Sequence, residues 1–134
     1  MKQDDWDRLV DALRDASDVE RAVAAARTLQ QEATAEDVPR LMRLLTDGDF
    51  FVREAAAWPI SDLGVTEALP ALLEALHRGF QEGHDGDGLS AALADLVEMN
   101  ARQSHFVLKS LLASGPPHLR EHALWLLEFC GKGA

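Results

Sequence analysis

Apolar positions recur along the chain with a period near 3.6 residues. Trp6, Leu9, Val10 and Leu13 share one face, and after Asp18 the series Ala22, Ala25, Ala26 and Leu29 repeats the spacing, so two N-terminal helices are predicted. A third opens at Thr34, where Asp37 three residues on imitates a capping box with Asp in place of the usual Glu or Gln. It carries Val38, Leu41, Leu44 and Leu45 on one side and ends at Asp47-Gly48-Asp49. The fourth is predicted from residue 50 to about 63, kinked at Pro59, which has no backbone N–H to donate, and capped by Gly64. Further helices are expected at about 67–80, 89–100, 104–113 and 117–130, about eight in all, and no period-two strand pattern competes.

The helices repeat in pairs. Pro39-Arg40-Leu41-Met42-Arg43-Leu44-Leu45 aligns with Pro70-Ala71-Leu72-Leu73-Glu74-Ala75-Leu76 and with Phe106-Val107-Leu108-Lys109-Ser110-Leu111-Leu112. Thirteen residues after Pro39 comes Val52-Arg53-Glu54-Ala55-Ala56-Ala57-Trp58, and thirteen after Phe106 comes Leu119-Arg120-Glu121-His122-Ala123-Leu124-Trp125. The middle unit reaches Leu89 only after nineteen, so six residues have been added near 81–87, at the turn between its two helices. Three units therefore start near Val38, Leu69 and His105, preceded by a less regular pair over 1–34.

Val38-Pro39-x-Leu41, Leu44-Leu45-x-Asp47-x-Asp49 and Val52-Arg53-x-Ala55-Ala56 resemble the short HEAT-like repeat first noted in phycobilin lyases, over residues 35–131. This resemblance implies an all-α fold, a short α-solenoid of HEAT-like helix pairs forming one domain over 1–134. It also implies that Asp49, Arg53 and Arg120 tie neighbouring repeats together, although the third unit has Pro116-Pro117 where the family has its Asp. Second helices line the concave, recognising side of such solenoids. Fold alone does not fix function, since these repeats serve scaffolds, lyases, glycosylases and inhibitors.

At 100° per residue, and with Val52 taken as zero, Ala55, Ala56, Pro59, Ile60 and Leu63 lie within about 80° of the core direction. Glu54, Trp58 and Ser61 lie opposite. The same count from Leu119 turns Ala123, Leu126, Leu127 and Cys130 inward and Glu121, Trp125 and Glu128 outward; from Leu89 the outward positions are Ala91, Asp95 and Glu98. Asp62, Met99 and Phe129 flank these rows. The expected ridge holds Glu54, Asp62, Asp95, Glu98, Glu121 and Glu128 with no Lys or Arg among its positions, beside Trp58 and Trp125. The plain reading is a solvated face with tryptophans packed on neighbouring helices. The functional reading is an aromatic-anchored acidic groove for a basic protein segment.

Composition narrows the partner. With 47% hydrophobic and 6% aromatic residues among 134, the chain has enough apolar material for one core of Leu, Ala and Val. Thirteen basic against 23 acidic residues give a net charge of −10, which repels nucleic-acid phosphates and anionic lipid and attracts cationic proteins. No apolar run approaches the roughly 20 residues of a bilayer span, and residues 1–16 are acidic and amphipathic, unlike a secretory signal, so a cytoplasmic protein is expected.

Catalytic and metal chemistry find little support. Cys130 falls on the core stripe, where a thiol acts as a small hydrophobe. His77, His84, His105, His118 and His122 are dispersed, and only His118 and His122 share an i, i+4 spacing, without the Glu of a zinc-protease motif. Asp95 and Glu98 could serve acid–base chemistry, but no pocket can be inferred around them. The inserted Gly83-His84-Asp85-Gly86-Asp87-Gly88 is a turn by composition. His84, Asp85 and Asp87 could ligate a metal but lack the further oxygen ligands of an EF-hand, and are better placed to touch a partner. No cofactor, metal or enzymatic activity is expected.

Beyond the repeat, the run from Arg53 to Gly64, the Gly83–Gly88 turn and Trp125-Leu126-Leu127-Glu128-Phe129-Cys130 resemble stand-alone bacterial HEAT-like immunity proteins of polymorphic toxins. That resemblance implies an inhibitor of a cognate, basic toxin domain. The alternatives are a general adaptor or assembly scaffold and, third, a phycobilin-lyase-like small-ligand protein.

Overall fold

The computed structural model describes residues 1–131, and all regular structure among them is helical. Eight α-helices are present among the described residues: α1 (Gln3–Leu13), α2 (Val19–Glu32), α3 (Val38–Asp47), α4 (Phe50–Asp62), α5 (Leu69–Gln81), α6 (Asp87–Met99), α7 (Ala101–Ser114) and α8 (Arg120–Leu127). Short 3-10 turns lead into α3, α5 and α8, and another follows α8. The chain forms two compact units, Met1–Leu63 and Gly64–Ala134, of which the last three residues lie outside those described.

In the first unit α1 pairs with α2, α3 pairs with α4, and α2 packs along α4. Leu29, Leu41, Val52, Ala56 and Ile60 lose all solvent contact there. The helix starts are set by aspartates: Asp18 accepts from the Arg21 amide at 3.0 Å and Asp49 from the Val52 amide at 2.9 Å, each satisfying a donor that the first turn leaves without a helical partner. The turn from α3 to α4 has no room for a side chain at Gly48, where a Cβ would stand 2.5 Å from Val52 Cγ1. Buried Arg53 donates from Nη1 to the Gly48 carbonyl at 3.1 Å, so this contact joins the two helices of one pair. By contrast, Arg120 is solvent-exposed.

A polar cluster fastens α1 to the start of α3. The Thr34 amide donates to Asp37 Oδ2 at 2.8 Å and completes a reciprocal capping box, so the shorter Asp substitutes for Glu. Arg40 donates to the same fully buried carboxylate and to the Met1 carbonyl, the latter at 2.7 Å, and its guanidinium lies 4.4 Å from the Trp6 ring centroid. Burial pushes the Asp37 carboxyl up, but the Thr34 amide, Arg40 and the Met1 amino group outweigh it and hold the group below its ordinary value.

In the second unit α5 pairs with α6 and α7 with α8; α7 also touches α5 and α6, and α6 touches α8. Leu69, Leu73, Leu93, Leu96, Leu108, Ala123 and Leu126 form its core. Gly64 has φ +70°, the left-handed conformation expected of a residue just past a helix end.

The predicted boundaries shift in a few places. The helical residues of α4 continue through Pro59 without a break, the ring itself being buried. The helix expected from 104 begins at Ala101, with the buried Ser104 amide bonded to the Asn100 carbonyl at 2.9 Å. The helix expected over 117–130 is α8 between two 3-10 turns. Leu63 and Leu127, expected inward, are half-buried.

Asp37→Ala should cost about 3 kcal/mol, because it strands a partly buried Arg40 and the Thr34 amide. With its folded pKa depressed, Asp37 contributes stability that is present above its unfolded value and lost as pH falls through the folded one. Asp37→Asn should therefore flatten the acid limb of urea-denaturation stability against pH; an unchanged limb would remove Asp37 from the account.

Candidate functional site

The positions singled out in the sequence fall on α4 in the first unit and on α6, α8 and the α5–α6 turn in the second. On α4, Asp62 is exposed and accepts from Gln30 Nε2 of α2 at 2.9 Å, whereas Glu54 and Trp58 are half-buried. Ser61 departs from the expected outward row. It is only 6% exposed, because α4 is covered on more of its circumference than a single core stripe: Arg53 and Ala57 are buried as well.

On α6, Asp95 and Glu98 are exposed, beside Met99 at 82% exposure. On α8 and the 3-10 turn after it, Glu121 and Glu128 are exposed. Trp125 is half-buried and meets Phe129 edge to face, ring centroids 5.2 Å apart. Because α6 and α8 touch, Asp95 and Glu98 stand on a helix adjacent to the one that bears Glu121, and Glu128 and Phe129 follow on the turn after it.

The insertion is a tight turn. α5 ends at Gln81 and α6 begins at Asp87, leaving residues 82–86 between them. The His84 amide donates to the Gly79 carbonyl at 2.9 Å, and the Asp87 amide donates to Asp85 Oδ1 at 3.0 Å, an Asx turn. The side chains of His84, Asp85 and Asp87 are exposed. Gly86 is the hinge of the turn. Its φ of +73° disfavours any other residue, and a Cβ there would lie 2.9 Å from Phe80 Cε1.

One grouping escaped the sequence reading. His77 Nδ1 lies 3.2 Å from His122 Nε2, His118 stacks obliquely on His77 with ring centroids 4.8 Å apart, and His118 Nε2 is 2.8 Å from Glu74 Oε1. The i, i+4 spacing of His118 and His122 was its only trace in the sequence; His77 joins them because α5 packs against the turn that precedes α8. Burial foremost, then the charges of His77 and His118, hold His122 below its ordinary pKa, against an opposing effect of Glu121. Cys130 is buried, and burial pushes its thiol up, away from the thiolate a nucleophile needs.

The family of HEAT repeats matches residues 6–83, from α1 to just beyond the end of α5. The chain belongs to the HEAT-repeat family. No curated protein and no solved structure matches it. The HEAT match takes in the N-terminal pair, which lacks the Pro39-x-Leu41 and Val52-Arg53 motif of the pair after it but has the same paired packing. HEAT repeats are in general protein-interaction modules and typically non-enzymatic scaffolds, so protein partners are the class this chain's family points to. No helix among the described residues is long and apolar enough to cross a membrane.

Two glycines give a contrast that tests the turn. Gly83 and Gly86 both have positive φ, but a Cβ at Gly83 meets nothing within 4 Å. Gly83→Ala should cost about 1 kcal/mol from backbone strain alone, and Gly86→Ala more, because Phe80 must also move. Thermal denaturation of the two variants would measure this; equal losses would mean that Phe80 does not pack on the turn.

Proposed function

We propose that this HEAT-repeat protein is a non-enzymatic immunity protein, binding a cognate bacterial toxin domain through acidic second-helix surfaces and blocking its activity. The observation that carries this reading is the exposure of Asp62, Asp95, Glu98, Glu121 and Glu128 on second helices and the turn after α8. These outward rows contain no Lys or Arg. Glu54 and Trp58 extend the first unit's contribution, and Trp125 anchors the second's. His84, Asp85 and Asp87 at the α5–α6 turn make additional contacts.

The two kinds of residue do different work. Exposed ion pairs are each worth only about 0.2–1 kcal/mol, so the carboxylates chiefly steer a basic partner and set its orientation. Affinity rests on the aromatic rings, which bring large area with few rotatable bonds and are typical binding hot spots. A net charge of −10 adds a long-range field of the same sign. A toxin that itself handles an anionic substrate presents the complementary basic surface, and the cell that makes it gains from an inhibitor of opposite charge.

Capture from a lysate of the native host, read by mass spectrometry, should return one toxin domain whose activity falls on binding. A partner with undiminished activity contradicts the immunity reading. With that domain in hand, Trp58→Ala and Trp125→Ala should each weaken binding by about 2 kcal/mol, roughly thirtyfold, with a proportionately smaller fall in Tm. Unchanged affinity with a large loss of stability would assign both rings to packing. Glu121→Lys with Glu128→Lys should slow association and flatten its dependence on salt; rates indifferent to the change would rule out steering by α8 and the turn that follows it.

A further inference from the structure

Two imidazoles bonded directly to each other admit only so many protons, and one such pair joins α5 to α8 in the second unit. His77 Nδ1 and His122 Nε2 lie 3.2 Å apart, so one ring donates through its facing N–H and the other accepts through its lone pair. The His118 ring, in the 3-10 turn before α8, has its centroid 4.8 Å from that of His77. We propose that these three histidines form a pH-operated latch, holding α5 to the start of α8 while His77 and His122 share their bond and releasing it when both are protonated.

The bond tolerates one added proton and not two. The first goes to the outer nitrogen of the donor ring and leaves an imidazolium bonded to an imidazole. The one lone pair then remaining is the accepting one, so a second proton puts a hydrogen on both facing nitrogens and sets two positive rings against each other. A charged His118 adds a third positive ring beside His77. Glu74 Oε1, 2.8 Å from His118 Nε2, compensates it only in part, because both side chains stand in solvent at 50% and 42% exposure.

Burial foremost, then the charges of His77 and His118, hold His122 below its ordinary pKa, against Glu121 of its own helix. On α5, the neighbouring Arg78 is paired with Glu82 at 3.3 Å. α6, α7 and the turn after α8 also pack here, but among the described residues none of their charged groups acts on the His122 ring. A depressed folded pKa means that the latch stabilises the unit above the ordinary imidazole value, about pH 6.5, and that this stability is lost as pH falls through the folded value.

Opening reaches the surface through Phe80. Its ring stacks on His122 with centroids 5.9 Å apart, and its Cε1 lies 2.9 Å from where a Cβ on Gly86 would stand, so the base of the α5–α6 turn rests on the same pair. The latch itself does not depend on what that turn binds.

Hydrogen–deuterium exchange of the full chain alone, at about pH 7.5 and about pH 5.5 with labelling times scaled for intrinsic exchange, tests the latch without a partner. Peptides covering residues 74–89 and 117–124 should lose protection about tenfold at the lower pH, while those of α2 and α4 keep theirs. His77→Asn with His122→Gln places neutral amides where the facing nitrogens stood. That variant, checked for helicity by circular dichroism, should lose the response, whereas His84→Asn should keep it. Independently of any variant, the imidazole NMR signals of His77 and His122 should titrate over the pH range in which protection falls. The proposal is overturned if protection is equal at both pH values, if the folded double variant still responds, or if protection falls while both rings stay neutral.

Discussion

No helix here could stand alone. They run from 8 residues in α8 to 14 in α2 and α7, lengths at which isolated helices are marginal in water, so each depends on burying its apolar stripe against its pair. That constraint explains the small residues where helices approach, such as Ala25, Ala56 and Ala92, and the absence of a side chain at Gly48. It also explains why polar groups cluster at helix ends. Asp18, Asp49 and the Thr34–Asp37 box satisfy backbone donors that packing cannot reach, and each fixes where a helix begins relative to its partner.

Pairing imposes a division of labour on the surface. The inward stripe of each second helix is committed to the core, which leaves the outward positions to carry charge at little energetic cost. The second unit uses that freedom mainly for carboxylates, placing Asp95 and Glu98 on α6 and Glu121 on α8, with Glu128 just beyond. Of the charged residues on α8, Arg120 is exposed as well, at the first position of the helix. Under the proposed function, the carboxylates face a partner of opposite charge.

The fold was legible in the sequence because helical periodicity and repeat register are local signals. Val52, Ala56, Ile60, Ala123 and Leu126 are buried as the angular count from Val52 and Leu119 expects. What the count could not see depends on neighbours. Ser61 is buried because α4 is covered on more than one side, and Trp58 and Trp125 stand half-buried rather than fully outward. The histidine cluster was invisible for the same reason: His77 and His122 are 45 residues apart and meet only through packing of α5 on the turn before α8. Side-chain capture at a distance, as in Arg40 over Trp6, likewise leaves no periodic trace.

The central claim is that the outward surfaces of the second helices are where this HEAT-repeat protein engages its partner. Hydrogen–deuterium exchange, compared between the free chain and its complex with the captured partner, tests this most directly. The account predicts added protection in peptides covering α4, the α5–α6 turn, α6 and α8. Protection confined to the first helices of the pairs, α3, α5 and α7, would contradict it.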